Sequence, residues 1–181
     1  MKHALPWMLA AVLFAPAALR AQEPARIEQV KRGEYLVTTG LCHDCHTPLA
    51  MTPNGPEPDM TRALSGHPQD MIVTAPAPTS GPWMGSFWPT LTAWSGPWGV
   101  SFSANLTPDP ETGRLRDFTE DQFLRTLRTG RHQGQGRQIL PPMPWPFIGK
   151  MTDDDLKAIF AYLRQVKPIN NKVPDPLPPA Q

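Results

Sequence analysis

Twenty-four prolines in 181 residues leave little room for long regular elements. Each one fixes φ and removes a backbone donor, which bars it from helix interiors and from central strands. Helical apolar spacing survives in three segments only, and no segment alternates convincingly enough to be read as a strand. The remainder is ordered loop or disordered chain. Loops in that proportion need something other than regular structure to bury against, as staples serve small scaffolds.

The first helical pattern covers about 25–40, with Ile27, Val30, Leu36 and Val37 apolar and Gly33 between them. Glycine there costs roughly 1 kcal/mol relative to alanine, which points to a close helix crossing. Its natural partner is the most amphipathic segment, 152–163. Thr152 can cap that helix, Asp153, Asp154 and Asp155 suit the positive end of its dipole, and Leu156, Ile159, Phe160 and Leu163 form one face. A shorter helix is expected at 119–129, with Thr119 and Gln122 spaced as a capping box and Gly130 as terminator. The expected fold is mainly α: N- and C-terminal helices crossing, one middle helix, and long loops. From 47 to 104 no helix is persuasive, yet Trp83, Trp88, Trp94 and Trp98 make the segment too aromatic for ordinary disorder. It reads as an ordered wrap, its tryptophans packing a loop core.

What the loops wrap is indicated by Cys42-His43-Asp44-Cys45-His46, which holds both cysteines of the chain. Cys-x-x-Cys-His is the attachment signature for c-type haem: each thiol adds to a porphyrin vinyl group, and the adjoining histidine reaches the iron. A disulfide between Cys42 and Cys45, or a thioredoxin-like redox pair, competes with this reading. A zinc site is weaker, because no second cysteine pair completes four protein ligands. The pair follows a helical pattern and leads into a loop rich in proline and glycine, unlike the βαβ context of a thioredoxin-like site.

Residues 1–21 read as an export signal, with Lys2 in a basic leader, an uncharged apolar stretch over 4–19, and Ala21 as a small residue for cleavage. That stretch is short against the roughly 18 apolar residues of a membrane span. The expected location is periplasmic, the compartment where bacterial c-type haem is attached; a membrane anchor formed by an uncleaved signal is the alternative. No transmembrane segment is expected in the mature chain. Losing Lys2 and Arg20 leaves 15 basic against 16 acidic side chains, so the mature chain is near neutral and unsuited to nucleic acid. The expected organisation is a leader at 1–21, one domain at 22–170 and a proline-rich tail at 171–181 with little means of packing.

An iron held by His46 keeps one further axial position, whose occupant decides between electron transfer and chemistry at the metal. His43 sits inside the attachment loop, whereas His67 and His132 can reach, so bis-histidine ligation is the runner-up. The stronger candidate is Met143 in Pro141-Pro142-Met143-Pro144-Trp145, where flanking prolines restrict the backbone and can hold the thioether at a fixed point.

With these pieces in view, the chain resembles a class I c-type cytochrome of the bacterial single-haem kind, like the cytochrome c domains of periplasmic dehydrogenase cytochrome subunits. The likeness rests on 32–37, on Cys42 to His46 with Thr47-Pro48, on Asn105-Leu106-Thr107-Pro108-Asp109, on 140–145 and on 151–163. It implies one covalently bound haem c, with Cys42 and Cys45 as thioether links, His46 as proximal iron ligand and Met143 as distal ligand. It also implies that Gly33 with Tyr35 or Leu36 meets the helix carrying Phe160 and Leu163. A proline-loop carbonyl orienting the proximal imidazole would come from Pro56 or Pro58. The long tryptophan-rich insert between His46 and Asn105 departs from the pattern.

The function expected is a soluble one-electron carrier between a dehydrogenase and a downstream acceptor, with redox proteins as partners. No acid, base or nucleophile constellation marks it as an enzyme. Alternatives are a haem enzyme or gas sensor with a displaceable sixth ligand, a haem-free thiol oxidoreductase, and the electron-transfer subunit of a dehydrogenase complex. Asp59, Arg62 or the tryptophan segment are candidates for a docking face. Arg131 or Arg137, in the glycine-rich stretch 130–137, are candidates for pairing with haem propionates.

Overall fold

In the computed structural model of the chain, the described residues are 15–77 and 82–179. Of the expected leader, residues 1–14 lie outside what is described, and 15–21 are described by their backbone alone. Helix α1 (Ala15–Thr39) begins ten residues before the apolar pattern and runs through Pro24. The upstream residues Ala17, Ala18, Leu19, Arg20, Ala21 and Gln22 are strong helix formers, which explains the extension where apolar spacing gave no signal. Leu41, at φ 59°, turns the chain into the single-turn α2 (Cys42–His46). Among the described residues no helix is long and apolar enough to cross a membrane.

α1 packs against α5 (Asp153–Leu163), the crossing expected from Gly33. A Cβ at Gly33 would lie 2.0 Å from the Ala158 carbonyl oxygen and 2.7 Å from Tyr162 Cβ, so only glycine allows this approach. Leu36 and Val37 bury their side chains there, whereas Tyr35 stays exposed. Arg32 pairs with Asp155 across the crossing at 2.9 Å. Thr152 caps α5 by accepting from the Asp155 N–H at 3.1 Å. The middle helix α3 (Glu120–Thr129) carries the full capping box, Thr119 Oγ1 accepting from Gln122 N–H and Gln122 Oε1 accepting from Thr119 N–H. It ends at Gly130, at φ 66°, where a Cβ would meet the Trp145 ring at 2.3 Å. α3 packs on α5 and on the short α4 (Trp145–Ile148), with Phe123 and Phe160 rings 5.1 Å apart. The core joins these helices through Leu36, Val37, Leu127, Leu156, Ile159 and Leu163.

The expectation of no strands is corrected. β1 (Leu49–Thr52) and β2 (Gly55–Pro58) form an antiparallel hairpin. β3 (Ser86–Phe87), β4 (Ala93–Gly96) and β5 (Gly99–Phe102) form a three-stranded antiparallel sheet, leaving the described chain about 35% helix and 14% strand. These strands are two to four residues long. Ser95 and Ser101 are buried within them, so alternation of apolar and polar residues, the usual signal, does not apply.

The tail is corrected as well. Val100 and Leu177 exchange two backbone hydrogen bonds at 3.0 Å, so the tail closes the β5 edge of the sheet. The Asn171 side chain donates to the carbonyls of Ser65 and His67 and accepts from the Gln69 N–H. The Asn105 side chain donates to the Ile169 carbonyl at 2.8 Å. Prolines exclude the tail from helices, but its polar anchors fasten it to the body.

Candidate functional site

Cys42, Cys45 and His46 fall at i, i+3 and i+4 on α2, which puts them on one helical face. All three line one cleft, whose walls are mostly apolar. His46 is nearly buried, and its Nδ1 lies 2.8 Å from the Ala104 carbonyl oxygen. A carbonyl only accepts, so Nδ1 carries the proton and the Nε2 lone pair is left free. Burial pushes the His46 pKa below the usual imidazole range, against the opposing effect of that bond, and so keeps the ring neutral and fit to ligate. The orienting carbonyl therefore belongs to Ala104. Pro56 and Pro58, the residues anticipated for this role, sit in β2. Thr47, fully buried, accepts from the Leu64 N–H and bonds the His43 imidazole at 2.8 Å, which fixes the turn after the motif.

Both cysteines are free thiols. Burial pushes Cys42 up to about 11, and burial with the nearby Asp44 raises Cys45, so both are protonated at neutral pH. The pair lies on a helical turn followed by a hairpin, not between a strand and a helix. Among the described residues no three of His, Cys, Asp and Glu gather as a metal cluster of the zinc kind.

Met143 lines the same cleft and packs against the helical core. The Ser101 hydroxyl of β5 donates to the Pro141 carbonyl and ties its loop to the sheet; the Pro141–Pro142 peptide is cis. His67 is removed from the ligand candidates. It is wholly buried, with Nδ1 on Thr92 Oγ1 at 2.9 Å and Nε2 on the Met71 carbonyl at 2.8 Å, so neither nitrogen is free. His132 does line the cleft, and burial together with Arg137 and Arg114 lowers its pKa to about 4.

One part of the cleft is polar. Arg114 and Arg137 line it near His132, and burial and Arg114 lower the Arg137 pKa, with Asp175 only partly opposing. Trp94 lines it too, and its Nε1 is the one buried side-chain nitrogen or oxygen left without a hydrogen-bond partner among the described residues. A buried unpaired N–H costs about 1–3 kcal/mol. In the same cleft as two mutually repelling cations, it suits a group that carries negatively charged acceptors. Arg131, the other candidate for this role, is exposed and donates to the Gly136 carbonyl of its own loop. Asp59 and Arg62 pair with each other at 2.9 Å. A flat apolar group carrying carboxylates, with a metal needing axial donors, fits this set of residues: thiols and a neutral imidazole on one helix face, a thioether, apolar walls, and cations with an unpaired N–H.

Ala104, Arg114, the Trp94 N–H and the tail residues Val173, Pro174 and Pro176 were not anticipated in the lining. Ala104 acts through its backbone and leaves no trace in side-chain chemistry. Arg114 had only a weak signal, lying five residues after the Asn105 to Asp109 motif.

No protein-family model matches the chain. It is 31% identical over 176 residues, covering 93% of this chain, to the cytochrome c subunit of a quinone alcohol dehydrogenase from Gluconobacter oxydans. It is 29% identical over 174 residues to the fructose dehydrogenase cytochrome subunit of Gluconobacter japonicus, and 30% identical over 162 residues to the gluconate 2-dehydrogenase cytochrome c subunit of Pantoea cypripedii, covering 92% and 90% of this chain. The chain spans only 28–29% of the length of these three proteins. Along nine-tenths of its own length, then, this chain is a relative of the cytochrome subunits of dehydrogenases.

Proposed function

We propose that this chain is a cytochrome c of the single-haem, class I kind, exported to the periplasm, that carries single electrons between a dehydrogenase and a downstream acceptor. The domain proposed is 22–170, with 1–21 as leader and 171–181 as tail. Cys42 and Cys45 would hold the haem through thioethers, His46 Nε2 would be the proximal ligand and Met143 the distal one. Bound there, the haem supplies a reversible one-electron centre, and thioether sulfur as axial ligand raises its potential.

The chain's own residues do the rest. Ala104 holds the His46 ring in one tautomer and orientation, which removes a reorganisation when the iron changes charge. Leu127, Ile159 and Leu163 keep water from the cleft, and Arg114, Arg137 and the Trp94 N–H offer partners to propionates. Two axial donors from the protein leave no position for substrate, which makes this an electron carrier and not an enzyme. The observation that supports this reading most is the convergence of Cys42, Cys45, the free Nε2 of His46 and Met143 on one apolar cleft.

The test is periplasmic maturation followed by denaturing extraction, visible spectroscopy and anaerobic redox titration. Haem should stay with the polypeptide, and the ferric protein should show the iron–sulfur absorption band. Met143→Ala should abolish that band and lower the potential, and His132→Ala should keep it. A band that survives Met143→Ala, or is lost in His132→Ala, overturns the ligand assignment.

A further inference from the structure

No Asp, Glu, Lys or Arg occurs anywhere in 71–108, within a chain that is 18% charged. This segment contains β3, the edge of the three-stranded sheet opposite the one that the tail covers. In β3 and the residues leading into it, large apolar side chains face solvent: Trp83 is 76% exposed, Met84 73% and Phe87 62%. Gly85 fixes this run against β4, since a Cβ there would lie 2.6 Å from the Ser95 carbonyl oxygen. Phe87 is directly opposite Trp94 in the sheet register, with ring centroids 5.6 Å apart. Trp94 in turn lines the cleft. An exposed aromatic patch is thus joined to the candidate haem site through a single pair of rings.

Exposed apolar patches of this kind mark interaction sites, and interface centres are enriched in aromatic residues and Met and depleted of charge. The chemistry narrows the occupant. A lipid surface would be met by basic residues around the apolar ones, and this segment has none. A second copy pairing edge to edge would have a strand of only two residues to add to, too few hydrogen bonds for a stable shared sheet. A protein face that is itself uncharged and apolar fits, because neither side then buries an unpaired charge.

We propose that the exposed run Trp83–Phe87 is the docking site for the catalytic subunit of a dehydrogenase, and that the Phe87–Trp94 pair bridges it to the haem cleft. This rests on the electron-carrier reading above and names its donor's landing site. One electron leaves a reduced flavin or metal centre of the partner and reduces ferric iron to ferrous; no bond is made or broken and no proton moves. Encounters of this type bury little surface, so one aromatic anchor carries much of the binding.

The experiment uses the full haem-loaded chain in the organism that makes it, with a photo-cross-linking amino acid in place of Met84 and mass spectrometry of the adduct. The expected adduct is a dehydrogenase catalytic subunit. Electron delivery from that subunit to Phe87→Ser protein should then slow about tenfold, the scale of one lost hot-spot side chain, with midpoint potential, visible spectrum and reduction by hexacyanoferrate(II) unchanged. An adduct only with a second copy or with a protein lacking a redox centre, no adduct at all, or an unchanged delivery rate overturns the docking site. Haem staining of the same sample separates this from the reading beneath it: a chain that never acquires haem overturns both, whereas a haem-loaded chain failing these tests overturns the docking site alone.

Discussion

Gly33→Ala sets two effects of opposite sign against each other. In an isolated helix the change is favourable by about 1 kcal/mol. In α1 the new Cβ would lie 2.0 Å from the Ala158 carbonyl oxygen, 2.6 Å from its carbon and 2.7 Å from Tyr162 Cβ. A carbon–oxygen contact settles near 3.3 Å or beyond, so α1 and α5 must part by roughly 1 Å. The first obstacle is backbone, which cannot swing aside as a flexible side chain would. A gap of 0.5–1 Å forfeits about a quarter to a half of the dispersion well for each contact it opens, and those contacts include buried Val37, Leu156 and Ile159. Overpacking costs about 1–3 kcal/mol, and the backbone clash places this case in the upper half of that range. After the propensity gain the net loss is about 1–2 kcal/mol. At about 2–4 °C per kcal/mol for a domain of this size, the melting temperature falls by roughly 2–8 °C. Thermal denaturation followed by far-ultraviolet circular dichroism measures it, with the haem-loaded protein compared at equal concentration. Ile159 and Leu163 reach the cleft from α5, so the visible spectrum should broaden in parallel. A melting temperature equal to or above that of the unsubstituted protein would refute the claim that glycine is there to permit the crossing.

Two further outcomes are expected. Arg32, and secondarily Thr152, hold the Asp155 carboxyl below the usual range; a depressed carboxylate stabilises the fold above the unfolded value near 4 and loses that effect as pH falls through the lower folded one. Asp155→Asn should therefore cost about 0.5–1 kcal/mol at pH 7 and become indistinguishable from the parent in strong acid, and a difference independent of pH in urea titrations would count against the ion pair. Asn171→Ala strands the buried carbonyls of Ser65 and His67, a loss of about 2–3 kcal/mol, and should make the tail cleavable by added protease; an unchanged denaturation midpoint would show that the anchor contributes nothing.

What could be read from sequence was what local chemistry determines. Thr119 with Gln122, Thr152, and Gly33 with its apolar neighbours each state their role within a few residues, and the helices they define are present. Cys42, Cys45, His46 and Met143 were singled out by type and spacing, and all four line one cleft. The strands were missed because Gly96, Gly99, Ser95 and Ser101 give no alternation, and β4 and β5 are held by pairing with each other. His67 competed for the iron on paper because a histidine does not announce its partners; Thr92 and Met71 occupy both of its nitrogens. The role of Ala104 belongs to a carbonyl that every residue possesses, so only the fold could reveal it.

The tail also makes one wall of the cleft depend on the far end of the described chain. Asn171 bonds to residues 106 and 104 positions earlier in the chain, so its docking closes a long loop. Val173, Pro174 and Pro176 then form part of the cleft wall. Without that closure the cleft lacks these residues on one side. The prolines of the segment bar it from a competing helix. They also lower the entropy lost when it docks. The segment is thus a wall of the cleft, fastened to the body through one buried side chain, Asn171.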